Sequence, residues 1–137
     1  MRFIDTNVFV RYLTADDPEK ASACRRLFER LSTGEELATA CESVVAEVVY
    51  VLGSRATYGL APGEIRDRLA PLLSVRGLRL PEKAAYLRAL DLLVEYPSLD
   101  FEDVLLAAHM ERAGEAEIYS YDADFDLVPE LMRLEPS

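Results

Sequence analysis

The sequence has 137 residues and a formal net charge of −10. This length favours one domain with a real core, and a chain that is 50% hydrophobic and 29% charged is not a disordered one. No apolar run approaches the roughly 20 residues that span a bilayer, and no signal-peptide pattern is visible at the N-terminus. Cys24 and Cys41 form no CxxC pair, so we expect reduced thiols and a cytoplasmic protein without a membrane partner.

Predicted strands and helices alternate along the chain. Short apolar runs predict strands at 2–4, 37–40, 78–80, 118–120 and 133–135. Caps, prolines and 3.6-residue periodicity predict helices that begin at Asp17-Pro18, Ser43, Pro62, Pro81 and Asp100. The first and last of these helices end at Gly34 and Gly114. This alternation predicts an α/β domain with a largely parallel sheet over residues 1–137.

Acidic residues occur where this map places strand ends and helix starts. Asp5 and Asp122 follow predicted strands, and Glu47 and Asp103 lie in the early turns of predicted helices. In a parallel α/β sheet, strand carboxyl ends and the amino ends of the following helices share one edge. Given the right strand order, we expect these four carboxylates to converge there.

Clustered carboxylates repel one another and take up protons unless a cation lies among them. A set of oxygen ligands without Cys or His favours Mg²⁺ or Mn²⁺, which suits hydrolysis of a phosphodiester bond. Glu47 lies within V-V-A-E-V-V-Y-V, where an unpaired buried acid would be costly, so it requires a partner or a cation. The alternative for each acid is a structural role, because Asp100 is typical of an N-cap and Asp103 of a capping box.

Charge is unevenly distributed along the chain. Residues 100–137 carry eleven Asp or Glu against two arginines, a net charge of −9. Residues 55–88 carry a net charge of +4, which suits a polyanion held at a basic rim. The candidate residues for binding such a polyanion are Arg55, Arg66, Arg76 and Arg79. The alternative is that these arginines only solvate helix surfaces.

Four segments in order resemble one protein family over almost the whole chain. They are FIDTNVFVRYL, SVVAEVVYVL, LDFEDVLLAAHMERAG and IYSYDADFDLV. The chain resembles the PIN-domain nucleases, and among them the VapC-type toxins of VapBC toxin–antitoxin pairs. The resemblance implies a PIN-like fold, in which a parallel sheet of about four or five strands is flanked by helices. It also implies a Mg²⁺- or Mn²⁺-dependent endoribonuclease that forms a homodimer and is inhibited by a VapB-type antitoxin.

By position, the resemblance implies that the acidic metal-site residues are Asp5, Glu47, Asp103 and Asp122. The supporting residues that it implies are Thr6, Asn7, Ser120 and, as an auxiliary acid, Asp126. No member of the acidic set departs from the family pattern. The RNA that is cut is not specified by these residues.

Three alternatives compete with a toxin nuclease. A phosphatase with Asp5 as nucleophile would need a second Asp where Asn7 stands, and a suitably placed lysine. A catalytically silent PIN-like module would lack a metal-site acid, whereas this chain has all four. A PIN nuclease of RNA maturation or decay would keep the same chemistry, and the short chain without appended modules favours the toxin over it.

Overall fold

Strand β1 (Arg2–Phe3) pairs in parallel with β2 (Ala38–Thr39) in the computed structural model, which describes all residues from Met1 to Ser137. Both strands belong to a first compact unit, Met1–Lys83. Its helices are α1 (Thr6–Thr14), α2 (Pro18–Thr33), α3 (Glu42–Gly53) and α4 (Pro62–Leu73). Helix α1 packs on α2 and α3, and α3 packs on α4, so the helices of this unit pack on one another beside one short parallel sheet.

The second compact unit is Ala84–Ser137. Its elements are α5 (Lys83–Glu95), α6 (Phe101–Ala113), β3 (Glu117–Tyr119), a 3₁₀ helix at Ala123–Leu127 and β4 (Met132–Leu134). Strands β3 and β4 pair in parallel. Four strands are therefore present, in two parallel pairs, and the α/β class with parallel strands is confirmed.

The caps predicted from the sequence hold for two helices. The carboxylate of Asp17 accepts a hydrogen bond from the backbone N–H of Lys20 at the start of α2, and Gly34 ends that helix with φ of 78°. Asp100 begins α6 in the same way by accepting from the N–H of Asp103, and Gly114 ends it with φ of 72°. A left-handed φ is inexpensive only for glycine, so both stops are local consequences of the sequence.

Helix α1 was not predicted from the sequence. The segment after Asp5 forms nine residues of helix, with Phe9 and Val10 buried. The ring of Phe9 lies 5.5 Å from that of Phe28 on α2, centroid to centroid. Packing on α2 therefore overrides the weak helix preference of the β-branched valines.

Several predicted elements differ from the structure in their bounds or extent. Helix α3 has Cys41, not Ser43, at its N-cap, and α5 begins at Lys83 rather than at Pro81. The predicted strand at 78–80 is reduced to one parallel bridge between Ala38 and Leu78. None of the helices combines the length and the apolar character that a membrane span requires.

Gly77 is a point where the backbone is closely packed. Its N–H donates to the carbonyl oxygen of Leu31 at 2.7 Å, and its own carbonyl oxygen accepts from the N–H of Ala38 at 2.9 Å. A Cβ at this position would lie 2.5 Å from the carbonyl oxygen and 2.9 Å from the Cα of Leu31. It would also collide with the carbonyl oxygen of Glu36, so only glycine fits.

We therefore expect Gly77→Ala to lower the free energy of unfolding by about 1–3 kcal/mol or more, because backbone atoms must move. The measurement is urea unfolding followed by circular dichroism. Gly63→Ala is the matched control, because a Cβ there meets nothing within 4 Å in the first turn of α4. It should be neutral or stabilise by up to about 1 kcal/mol. Equal stability of the two variants would contradict the packing described for Gly77.

Candidate active site

The first predicted acid, Asp5, lies at the carboxyl end of β1 and forms the N-cap of α1. Phe3 pairs with Thr39 in the parallel register, so Asp5 and Cys41 each follow their strand by two residues at the same edge. A hydrogen bond with Ser43 lowers the pKa of the Cys41 thiol, and the nearby carboxylate of Asp5 opposes this effect. The Asp5 side chain makes no capping hydrogen bond to its helix, which leaves its oxygens free for another partner.

Glu47 lies on α3 in the same unit and is exposed, so the burial that would have required a partner or a cation is absent. Val45, Ala46, Val48 and Val49 take the buried positions around it. Ser43, Glu47 and Tyr50 form an exposed stripe along the helix, at a spacing that keeps them on one face. Glu47 is therefore accessible to solvent, and its position is not explained by core packing.

Asp103 lies in the first turn of α6 and is half-buried. Burial is the main cause that raises its pKa to about 6, and the charges of Asp100 and Asp122 add to it. Asp124, which the sequence interpretation did not select, contributes in the same direction. The second unit therefore brings Asp103 and Asp122 within electrostatic range of each other.

Asp122 is held by a tight turn after β3. Its backbone N–H donates to the hydroxyl oxygen of Ser120 at 2.9 Å, and its carboxylate accepts from the N–H of Asp124 at 2.9 Å. Asp122 is thus the N-cap of the 3₁₀ helix at Ala123–Leu127. The hydroxyl of Ser120 supports the turn that presents Asp122.

Arg133 on β4 is a positioning residue that the sequence interpretation missed. Its guanidinium binds both carboxylate oxygens of Asp126, at 3.1 and 3.2 Å, and donates to the carbonyl oxygen of Ser120 at 3.2 Å. Hydrogen bonds to Asp126 and Glu135 raise the pKa of Arg133. The carboxylate of Asp126 is occupied by this contact, and its auxiliary role stays a prediction. A signal for Arg133 was available, since it is one of only two basic residues in the acidic segment 100–137.

The chemistry of the predicted set fits a hard divalent cation. Its ligands would all be carboxylates, and none of the ion pairs in the structure includes a predicted metal-site acid. Burial, together with the charges of Asp100 and Asp122, raises the pKa of Asp103, and a cation bound beside it would favour its charged form. No three acidic, histidine or cysteine side chains are arranged as a ready metal-binding group.

The remaining predicted residues lie in the first unit. Thr6 and Asn7 occupy the first turn of α1, directly after Asp5. Among the predicted RNA-binding arginines, Arg55, Arg76 and Arg79 are exposed. Arg66 is half-buried, and its Nε donates to Asp67 at 3.2 Å. Their role in binding stays a prediction.

Two other basic residues of the positive segment are used in internal contacts. The ammonium group of Lys83 donates to the carbonyl oxygens of Val75 and Leu78, at 3.2 and 2.5 Å. Arg88 on α5 pairs with Glu111 on α6 at 3.1 Å. The positive charge that residues 55–88 offer to a ligand is therefore smaller than their composition suggests.

The raised pKa of Asp103 predicts a pH dependence of stability. Its pKa of about 6 in the folded chain exceeds the value of about 3.9 for an unfolded aspartate. The folded state therefore binds the proton more tightly, and stability falls as pH rises from about 4 to about 6. Without divalent cations, we expect Asp103→Asn to remove this fall in urea unfolding at stepped pH. Glu102→Gln, which changes an exposed acid in the same helical turn, should retain it. Coinciding curves for the wild type and Asp103→Asn would contradict the assignment.

Comparison with known proteins places the chain in a family. The family model described as "PIN domain" matches residues 2–131. VapC ribonuclease Mb1869c of Mycobacterium bovis is 31% identical over 137 residues, which cover 98% of this chain and 99% of that protein. Ribonuclease VapC13 of Mycobacterium tuberculosis shows the same identity and coverage. The chain therefore belongs to the PIN-domain family.

Proposed function

We propose that the protein is a divalent-metal-dependent endoribonuclease and the toxin component of a VapBC-type toxin–antitoxin pair. The observation that carries the proposal is the PIN-domain match over residues 2–131. Acidic residues also lie near one another in the second unit, where the charges of Asp100, Asp122 and Asp124 add to burial in raising the pKa of Asp103. Such crowding is unfavourable for folding and is relieved by a cation. The names of the two mycobacterial relatives, both of which are called ribonucleases, support RNA as the substrate.

In this proposal, the four acids Asp5, Glu47, Asp103 and Asp122 serve one hydrolytic reaction, with Mg²⁺ as the cation and Mn²⁺ as its substitute. When bound, the cation supplies a Lewis acid that activates water and stabilises the leaving oxygen. The free carboxylate of Asp5 offers ligand oxygens at the end of β1. Ser120 and Arg133 hold the turn that presents Asp122.

Thr6 and Asn7 support Asp5 in this proposal, because they occupy the turn that fixes its backbone. Residues 1–137 act together as a single PIN domain, which agrees with a family match that runs through both compact units. A nuclease of RNA maturation would use the same residues, and the VapC names of the relatives favour the toxin.

We further propose a VapB-type antitoxin as partner, a homodimer as the assembly and the cytoplasm as the location. The net charge of −9 over residues 100–137 supports a basic antitoxin segment by electrostatic complementarity. Large apolar side chains that lie exposed support self-association, among them Tyr119, Tyr121 and Met132. Light scattering of the purified chain tests the dimer.

The activity is tested with purified protein and total RNA. We expect cleavage with Mg²⁺ or Mn²⁺ and none in excess EDTA. Asp5→Asn and Asp103→Asn should each lower the cleavage rate more than about 100-fold, because several kcal/mol of transition-state stabilisation are lost. Mapped RNA ends and gel-based rates are the measurements.

Glu19→Gln is the matched control, because Glu19 is an exposed acid in the first turn of α2 and is not one of the predicted site residues. It should cleave at the wild-type rate. Cleavage that persists in EDTA would refute the metal mechanism. A well-folded wild type that binds RNA and cleaves none under any metal would favour the silent binding module.

Charge reversal tests the predicted basic rim. We expect Arg66→Glu, Arg76→Glu and Arg79→Glu together to weaken RNA binding and to flatten its dependence on salt, since fewer counterions are released. Filter binding at stepped salt concentrations measures both quantities. Charge reversal at Arg112, an exposed arginine at the end of α6, is the control. Unchanged RNA affinity in the triple variant would show that these arginines only solvate the helix surfaces.

A further inference from the structure

A groove of about 380 Å³ opens beside Asp5 within the first unit. Arg2, Phe3 and Asp5 line it from β1 and the residues that follow, and Arg30 on α2 and Glu36 complete its polar rim. Its volume is within the range of about 300–1,000 Å³ that is typical of ligand sites. The groove therefore joins the candidate nuclease residue Asp5 to two arginines outside the predicted basic rim.

The two arginines are held over the groove by one carboxylate. Glu36 lies 3.9 Å from the guanidinium of Arg2 and 3.5 Å from that of Arg30. The side chains of Arg2 and Arg30 remain 84% and 44% exposed, whereas that of Glu36 is only 23% exposed. Such exposed ion pairs contribute little stability, so the guanidinium groups can exchange Glu36 for another anion. Their planar arrays of donors match the oxygens of a phosphate group.

The aromatic side chain at the groove is unusually accessible. Phe3 lies on β1 and is 71% exposed, although its strand is paired with β2. Ile4, the next residue, is buried at 6% exposure and carries the apolar packing of this segment. An exposed aromatic ring and arginines in one groove are the combination with which proteins bind single-stranded nucleic acids, because bases stack on the ring and guanidinium groups contact phosphates.

We propose that this groove binds the single-stranded RNA segment next to the scissile phosphate, an inference that rests on the proposed ribonuclease function. Arg2 and Arg30 contact backbone phosphates, and Phe3 stacks on a base. Stacking accepts any base, so the groove contributes affinity and register rather than sequence preference. The arginines of residues 55–79 do not line this groove, so the inference is independent of the basic rim.

The test is fluorescence anisotropy with a labelled single-stranded RNA, in the Asp103→Asn background and in EDTA so that the RNA stays intact. Arg2→Gln and Arg30→Gln should each weaken binding about fivefold and lower the slope of log K against log salt by about 0.7. Phe3→Ala should weaken binding about tenfold and leave the slope unchanged, because stacking releases no counterions. Arg30→Lys, which keeps the charge, should retain most of the slope.

Two matched controls are available in the chain. Arg26→Gln removes an exposed arginine from the same helix as Arg30, and Arg26 donates only to Ser22. Tyr50→Ala removes an aromatic ring that is 72% exposed on α3. Neither residue lines the groove, so neither variant should change affinity or slope. Thermal melting of each variant confirms that it is folded.

Wild-type affinity in Arg2→Gln, Arg30→Gln and Phe3→Ala would overturn the inference, and so would equal losses in the two controls. This failure differs from failure of the proposed function. If the groove variants lose RNA binding but the wild type never cleaves RNA, the groove inference is supported and the proposed activity is not. If the wild type cleaves RNA with Mg²⁺ but the groove variants bind RNA normally, the proposed activity is supported and the groove inference is not.

Discussion

Parallel pairing of very short strands is the constraint on which the acidic residues of this chain depend. A parallel pair requires a crossover, and β1, β2 and β3 are each followed by a helical segment that begins near the strand's carboxyl end. Asp5 and Asp122 both take this place, yet they are used differently. The carboxylate of Asp122 accepts from a backbone N–H of its own turn, whereas that of Asp5 accepts none from α1. A cap that leaves its helix donor unpaired, as Asp5 does, retains oxygens for a ligand.

The charges of the second unit separate into a neutralised part and an uncompensated part. Arg133 pairs with Asp126 and Glu135, at 3.1 and 2.9 Å, and so neutralises two acids near the end of the chain. Asp103 has no such partner. Burial raises its pKa, and the charges of Asp100 and Asp122 add to the rise. A carboxyl group perturbed by burial and by charged neighbours is a candidate for a functional site.

Local signals account for what the sequence predicted correctly. One or two residues mark each end of α2 and α6, so both helices were predictable. The marks are Asp17-Pro18 and Asp100 at the starts, and Gly34 and Gly114 at the ends. Helix α1 ends instead at Ala15 with a φ of 53°, which its side chain does not signal. The sequence did not show that Glu47 is exposed, because a valine-rich helix can still expose one face and composition does not show which face.

Long-range contacts explain why the groove could not be predicted. A charge count along the sequence identifies residues 55–88 as positive, because it adds the charges of residues that are neighbours in sequence. A bound anion instead responds to all charges within about 10 Å in space. Arg2 and Arg30 stand far apart in the sequence and share Glu36 only because β1 and α2 pack in one unit. The same argument applies to Arg133 and the carbonyl oxygen of Ser120. In this chain, acids at helix caps can be located from the sequence, because a cap is a local signal. The contacts that the arginines make with distant residues become visible only in the folded structure.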